Sequence, residues 1–133
     1  MSGLIEELKK EHSAILEVLS AVNRLGISTS EGKSKLLAAK QGLLAHLKKE
    51  DDQLYPVLNQ AAEQDQNLRR TLDTFAKDMK VVSGGALEFF AKYAGGGSGL
   101  EFARDFGRLY AVLGSRVRRE ESVLYAEYDK LKR

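Results

Sequence analysis

The sequence predicts an all-α protein, an antiparallel up-and-down four-helix bundle, on three observations. Apolar residues recur at helical spacing along the whole chain, with a single proline and no alternating strand pattern. The resulting stripes fall into four long segments separated by short polar or glycine-rich stretches, and each stripe needs neighbouring helices to cover it. Residues 43–56, LLAHLKKEDDQLYP, return 70 positions later as residues 113–126, LGSRVRREESVLYA, which marks a duplicated helical hairpin.

The first helix is expected from Ser2 to Arg24, with Ile5, Leu8, Ile15, Leu19 and Val22 on one stripe and His12 among them. Gly26 to Gly32 punctuates the chain, and a second helix then turns Leu36, Ala39, Leu43, Leu47, Leu54 and Val57 inward, with His46 and Glu50 on the same stripe. Pro56 predicts a kink or an early end there, because proline removes a ladder bond and crowds the preceding turn. A third helix, from about Asn67 to Tyr93, presents Leu68, Leu72, Phe75, Met79, Val82, Ala86, Phe89 and Tyr93. Gly84 and Gly85 lie inside it at about 1 kcal/mol each relative to alanine, so close packing or a local irregularity is expected around them. The linker AGGGSG, residues 94–99, precedes a fourth helix whose stripe holds Phe102, Phe106, Leu109, Leu113, Leu124 and Leu131, interrupted by Arg116 and Glu120.

Composition narrows the function. At 133 residues the chain has the length of one ordinary domain, so residues 1–133 are expected to form a single unit. The absence of cysteine excludes disulfides, thiolate metal sites and cysteine nucleophiles. No apolar run approaches the roughly 20 residues of a membrane span and the first residues do not read as a signal peptide, so a cytoplasmic protein without membrane contact is expected. The net charge of +2 comes from 21 basic and 19 acidic residues, interleaved rather than clustered. Nucleic-acid binders carry a one-sided basic patch with stacking aromatics, and neither is present in the pattern.

The polar residues inside the apolar stripes carry the functional signal. His46 and Glu50 are four apart and so point from one helix face, the separation that two ligands of one metal need. His12, His46, Glu50, Met79, Arg116 and Glu120 all fall near mid-helix, so an up-and-down bundle brings them into one layer. Burying imidazole and charge there costs several kcal/mol unless the groups pair with each other or with a metal.

These residues resemble the hemerythrin-like (HHE cation-binding) family across essentially the whole chain. Glu11-His12 is similar to the family's opening EH, and His46 to Asp51 followed by Leu54-Tyr55-Pro56 is similar to its H-x-x-x-E-[ED]-x-x-L-[YF]-P signature. The resemblance implies a four-helix bundle holding two non-haem irons bridged by two carboxylates and an oxo or hydroxo group, in a family whose members bind oxygen or sense oxygen, nitric oxide or iron. It also implies His12 and His46 as metal ligands, with Glu50 and Glu120 as the carboxylates. The departures are Met79 in the ligand slot of the third helix, Ser83 four residues on, and Arg116 where the second copy of the signature has lost its histidine.

Three functions compete. The leading expectation is a non-catalytic binding protein with at most one metal on His12, His46, Glu50 and Glu120, iron first, with zinc or manganese compatible with the same ligands. Its partners would be the metal and then O2 or NO. The alternative is a metal-free regulatory or interaction module in which Arg116 bridges Glu50 and Glu120 in place of a cation; a rotated helix would instead let Arg116 snorkel to solvent. An enzyme would need an open coordination position and a substrate pocket, with Tyr55, Tyr93, Tyr110, Tyr125 or Tyr128 as an internal donor. Interior tyrosines are more often amphipathic core residues.

Overall fold

A computed structural model describes residues 3–97 and 99–131. Four helical arms pack in a square, each antiparallel to the next in the chain. The first is α1 (Gly3–Leu25), and the second is α2 (Ser30–Lys49) continued through a π-helical turn at Glu50–Leu54 into α3 (Tyr55–Ala62). The third is α4 (Gln66–Lys92), and the fourth is α5 (Gly99–Arg119) continued through a second π turn at Glu120–Leu124 into α6 (Tyr125–Leu131). Among the described residues there is no strand, and no helix is long and apolar enough to cross a membrane. The expected start of the first helix at Ser2 lies outside the described residues.

Local chemistry sets the ends. Gly26, with φ of +71°, closes α1 by donating its N–H to Val22 O at 2.8 Å. Thr29 then caps α2 by accepting from Gly32 N at 3.1 Å. Gly32 is required there, because a Cβ would come within 1.7 Å of Gly26 O. Asp65 caps α4 in the same way, accepting from Leu68 N at 3.1 Å.

The expected kink at Pro56 has a different cause from the one the sequence suggests. The irregularity begins at Glu50, upstream of the proline, and recurs at Glu120–Leu124, where the matching position is Ala126. In both arms the defining bond runs from the N–H of a tyrosine, Tyr55 or Tyr125, to the carbonyl of the glutamate five residues earlier. Pro56 sits at the start of α3, where its missing N–H costs little. Each π turn adds a residue to the arm and rotates the helix beyond it. Leu58 is therefore buried where Val57 was expected, and Tyr128 is buried while Leu131 is exposed.

The expected disturbance at Gly84 and Gly85 is absent. α4 runs through both without a break, and a Cβ at either would meet nothing within 4 Å. They lie on its outer face, and burial of Leu72, Phe75, Ala86 and Phe89 on the inner face holds the helix against their low propensity.

The core is split in two. One apolar cluster gathers Ile15, Leu19, Leu43, Phe89, Phe102 and Phe106 with their neighbours. The other gathers Ile5, Leu8, Leu54, Leu58, Leu72, Phe75 and Tyr125 with theirs. Between them lies a buried polar layer of His12, His46, Glu50, Arg116 and Glu120. Because the second arm keeps its π turn without a proline, Pro56→Ala should leave the helical content unchanged. It should lower stability by less than about 1 kcal/mol, the scale of the added freedom of the unfolded chain. A loss of about 3 kcal/mol or more in urea unfolding would show that the proline holds the turn.

Candidate metal centre

α1 and α2 each bring one imidazole to the layer, and outer carboxylates fix both rings. The Nδ1 of His12 lies 2.9 Å from Glu121 Oε2, and the Nδ1 of His46 lies 2.8 Å from Glu11 Oε1. A carboxylate only accepts, so each Nδ1 carries the proton and each Nε2 presents a lone pair inward. Lys49 pairs with the other oxygen of Glu11. Burial by itself would raise the Glu11 pKa, but the bonds from Lys49 and His46 outweigh it and hold the carboxyl below its ordinary value.

The inward-facing atoms are acceptors without enough donors. His12 Nε2 is 3.1 Å from Glu120 Oε1, and His46 Nε2 is 3.5 Å from Glu50 Oε2. Tyr125, fully buried, stands among them with its hydroxyl 3.2 Å from His12 Nε2 and 3.5 Å from His46 Nε2. Its one proton goes to Glu50 Oε2 at 2.8 Å. Among the described residues, Glu50 Oε1 and Glu120 Oε2 are buried with no hydrogen-bond partner. One ligand atom from each of His12, His46, Glu50 and Glu120 can be chosen so that all four lie within 4.8 Å of one another. Lone pairs turned toward one another at this spacing, in a buried layer, are costly unless a positive charge lies between them.

Protons supply part of it. Burial favours neutral His46, yet the carboxylates of Glu50 and Glu11 outweigh burial and raise its pKa above 6.5. Glu120 is raised above 4.5 first by burial and then by Glu50, against the pull of His12 and Arg116. Burial and the carboxylates of Glu50 and Glu120 push the hydroxyls of Tyr55 and Tyr125 well above the ordinary tyrosine range, so both stay protonated.

The second hairpin reproduces the first with its ligands exchanged. Asp78 pairs with Arg119 at 2.7 Å as Glu11 pairs with Lys49, which fixes the register and places Met79 opposite His12. Met79 is half-buried, and Ser83 spends its hydroxyl proton on Met79 O at 2.6 Å. Tyr55 occupies the place matching Tyr125, and its hydroxyl lies 3.5 Å from an Arg116 Nη2 donor.

Arg116 does not reach solvent. It is 4 % exposed, its Cζ 4.6 Å from the centre of the Phe75 ring. Nor does it bridge the two carboxylates as the metal-free alternative expects. Its Nε is 3.5 Å from Glu120 Oε2, outside hydrogen-bond geometry, and no ion pair joins it to Glu50 among the described residues. The flat ring of Phe75 and the hydroxyl of Tyr55 hold the guanidinium to one side of the glutamates.

The structure thus gathers all four of the sequence-derived residues, His12, His46, Glu50 and Glu120, into one group. Sequence reasoning placed Tyr125 only in a general set of tyrosines and gave no role to Glu121 or to the carboxylate of Glu11. The recurrence of Tyr55 as Tyr125 was the available signal for the first, and the acidic residues beside His12 and Glu120 for the others. Of the remaining tyrosines, Tyr110 bonds Ser20 at the surface and Tyr93 bonds Asp105 at the far end of the bundle.

A model of the hemerythrin HHE cation binding domain matches residues 3–128 of the chain. No curated protein and no solved structure matches it.

His46 and Glu120 bind protons more tightly folded than unfolded. The stability this gives is complete below their ordinary values of 6.5 and 4.5 and is lost as pH rises through their elevated folded values. Without metal, the protein should therefore lose stability in urea unfolding as pH is raised from about 5 to 8. Glu120→Gln should flatten that dependence; a variant with the slope of the wild type would mean that Glu120 does not titrate in the layer.

Proposed function

Because the chain belongs to the hemerythrin HHE cation binding domain family, we propose that it holds one divalent cation on His12, His46, Glu50 and Glu120 and serves in binding or sensing O2 or NO. The observation that carries this reading is the ring of facing acceptors: two imidazole Nε2 lone pairs and two carboxylates with orphaned oxygens, backed by outer carboxylates on both histidines. Two neutral imidazoles and two carboxylates balance a divalent ion and suit iron, zinc or manganese alike. Iron is the metal that would give the site its redox and diatomic-ligand chemistry.

A second metal does not fit. Its half of the layer offers Met79, whose thioether suits soft metals rather than iron, and Arg116, whose charge repels a cation. The adjoining cavity of about 30 Å³, lined by Ile15, Leu43, Met79, Val82 and Leu113 beside the two histidines, leaves no room for an organic substrate. That supports binding over catalysis.

A metal-free reading, in which the bundle works as a regulatory or interaction module, draws support from the burial of Arg116 beside Glu120. It leaves Glu50 Oε1 and Glu120 Oε2 unsatisfied, which the cation reading does not.

Protein purified without a histidine tag and stripped of metal should take up one equivalent of Fe(II) or Zn(II) per chain, and His46→Ala should abolish uptake. Arg116→Ala should tighten metal binding, because it removes the competing cation beside Glu120. Two tightly bound equivalents with oxo-bridged iron bands in the visible spectrum, or no uptake at all, would refute the single-cation reading.

A further inference from the structure

The hydroxyl of Tyr125 reaches three of the four proposed ligands at once. It lies 2.8 Å from Glu50 Oε2, 3.2 Å from His12 Nε2 and 3.5 Å from His46 Nε2, on a residue that is fully buried. Glu121 and Glu11 hold the proton of each imidazole on Nδ1, so Tyr125 has one proton for three lone pairs. A hydroxyl that serves packing alone needs one partner.

Those distances are the ones that co-ligands keep. Donors bonded to one ion at about 2.0–2.2 Å each stand roughly 2.8–3.5 Å apart when they are neighbours around it. All three Tyr125 contacts fall in that range, as do His12 Nε2 to Glu120 Oε1 at 3.1 Å and His46 Nε2 to Glu50 Oε2 at 3.5 Å. Outer partners are placed differently. Glu121 and Glu11 meet the far nitrogens of the rings, whereas Tyr125 meets the nitrogens that a metal would use.

The charge of the layer agrees. Glu50 and Glu120 together carry two negative charges, and the buried Arg116 returns one. Glu11 is paired with Lys49, and Glu121, a third exposed, is screened by water. A divalent cation on two neutral imidazoles then leaves one surplus positive charge, which a phenolate would cancel. Without a cation the neighbouring carboxylates keep the Tyr125 hydroxyl protonated; a cation among them reverses the local field, as it does for bound water and thiols. The duplicated arm supplies a comparison. Tyr55, delivered by the same π turn, has its hydroxyl 3.5 Å from Arg116 Nη2 and, among the described residues, bonds no histidine.

We propose that Tyr125 is a fifth ligand of the single cation, bound through its phenolate oxygen beside His12, His46, Glu50 and Glu120. This rests on the single-cation reading above and extends its ligand set. On binding, the O–H bond of Tyr125 is exchanged for an O–metal bond and the proton leaves to solvent; no electron moves. Phenolate favours ferric over ferrous iron, so an iron-loaded chain would suit sensing better than reversible carriage of O2.

The test uses the full chain stripped of metal, given one equivalent of Fe(II) under nitrogen, oxidised with ferricyanide and desalted. Iron content is measured first. The ferric protein should show a visible phenolate-to-iron charge-transfer band. Excitation into that band should enhance tyrosine ring modes in the resonance Raman spectrum, and the modes should shift in protein made with ring-deuterated tyrosine. Tyr125→Phe should lose the band and the ring modes and weaken Fe(III) at least about tenfold more than Fe(II), the lower end of what losing even an outer partner of a ligand costs. Tyr55→Phe should keep both signals. If Tyr125→Phe does not fold, Tyr55→Phe and Tyr128→Phe carry the test. Ring modes that persist in both leave Tyr125 as their source, because Tyr93 bonds Asp105 at the far end of the bundle and Tyr110 bonds Ser20 at the surface.

Ring modes that survive Tyr125→Phe, or that vanish in Tyr55→Phe or Tyr128→Phe, would overturn the proposal. A band whose Raman modes follow the oxygen isotope of the water instead of the tyrosine ring belongs to an oxo bridge and overturns both readings. If wild-type protein takes up no iron, the single-cation reading fails and this proposal fails with it. If iron binds at one equivalent and no ring modes appear, the proposal alone is lost.

Discussion

Everything in this bundle is arranged around facing acceptors that lack a positive partner. Four ligand atoms, two imidazole nitrogens and two carboxylate oxygens, meet within 4.8 Å in a buried layer. Such a layer costs stability unless charge is added. The protein places around it every compensation its helices allow: the hydroxyl of Tyr125, a raised proton affinity on His46 and Glu120, and the guanidinium of Arg116. None of them fills the centre. The apolar clusters on either side supply the burial that holds the bundle together while the layer stays short of donors.

The outer carboxylates explain why the layer keeps its form. With the Nδ1–H of each imidazole committed to Glu121 or Glu11, neither ring can turn its proton inward to relieve the crowding of acceptors. The π turns serve the same end. An ordinary α-helix cannot turn Glu120, Leu124 and Tyr125 all inward from one face, but one added residue does. The turn thus delivers the tyrosine hydroxyl to Glu50 across the bundle. Its counterpart delivers Tyr55 to Arg116, so duplication and site geometry are one design applied twice and then made unequal.

That inequality divides the labour. The first hairpin kept imidazoles and suits a cation. The second has Met79 and Arg116 in the matching places, which do not suit a cation such as iron, and a small cavity of apolar surface lies beside them. Arg119 and Asp78, which repeat the surface pair of Lys49 and Glu11, show that the exchange changed the ligands and left the framework alone.

The sequence by itself determined the four arms, their inward stripes and the placing of His12, His46, Glu50, Arg116 and Glu120 in one layer. Helical periodicity is a local property and each of these residues lies on its own stripe. It also carried the family, through a signature whose residues lie within one helix and its continuation. Tertiary structure decided the rest. The π turns moved Leu58 and Tyr128 inward and Leu131 outward, because an inserted residue rotates everything beyond it and no local spacing announces the insertion. The roles of Tyr125 and Glu121 depend on contacts more than a hundred residues apart in the chain, and the distance from Arg116 to each glutamate depends on where Phe75 of another arm holds its guanidinium. Distances between arms are set by packing, and packing is a property of the folded whole.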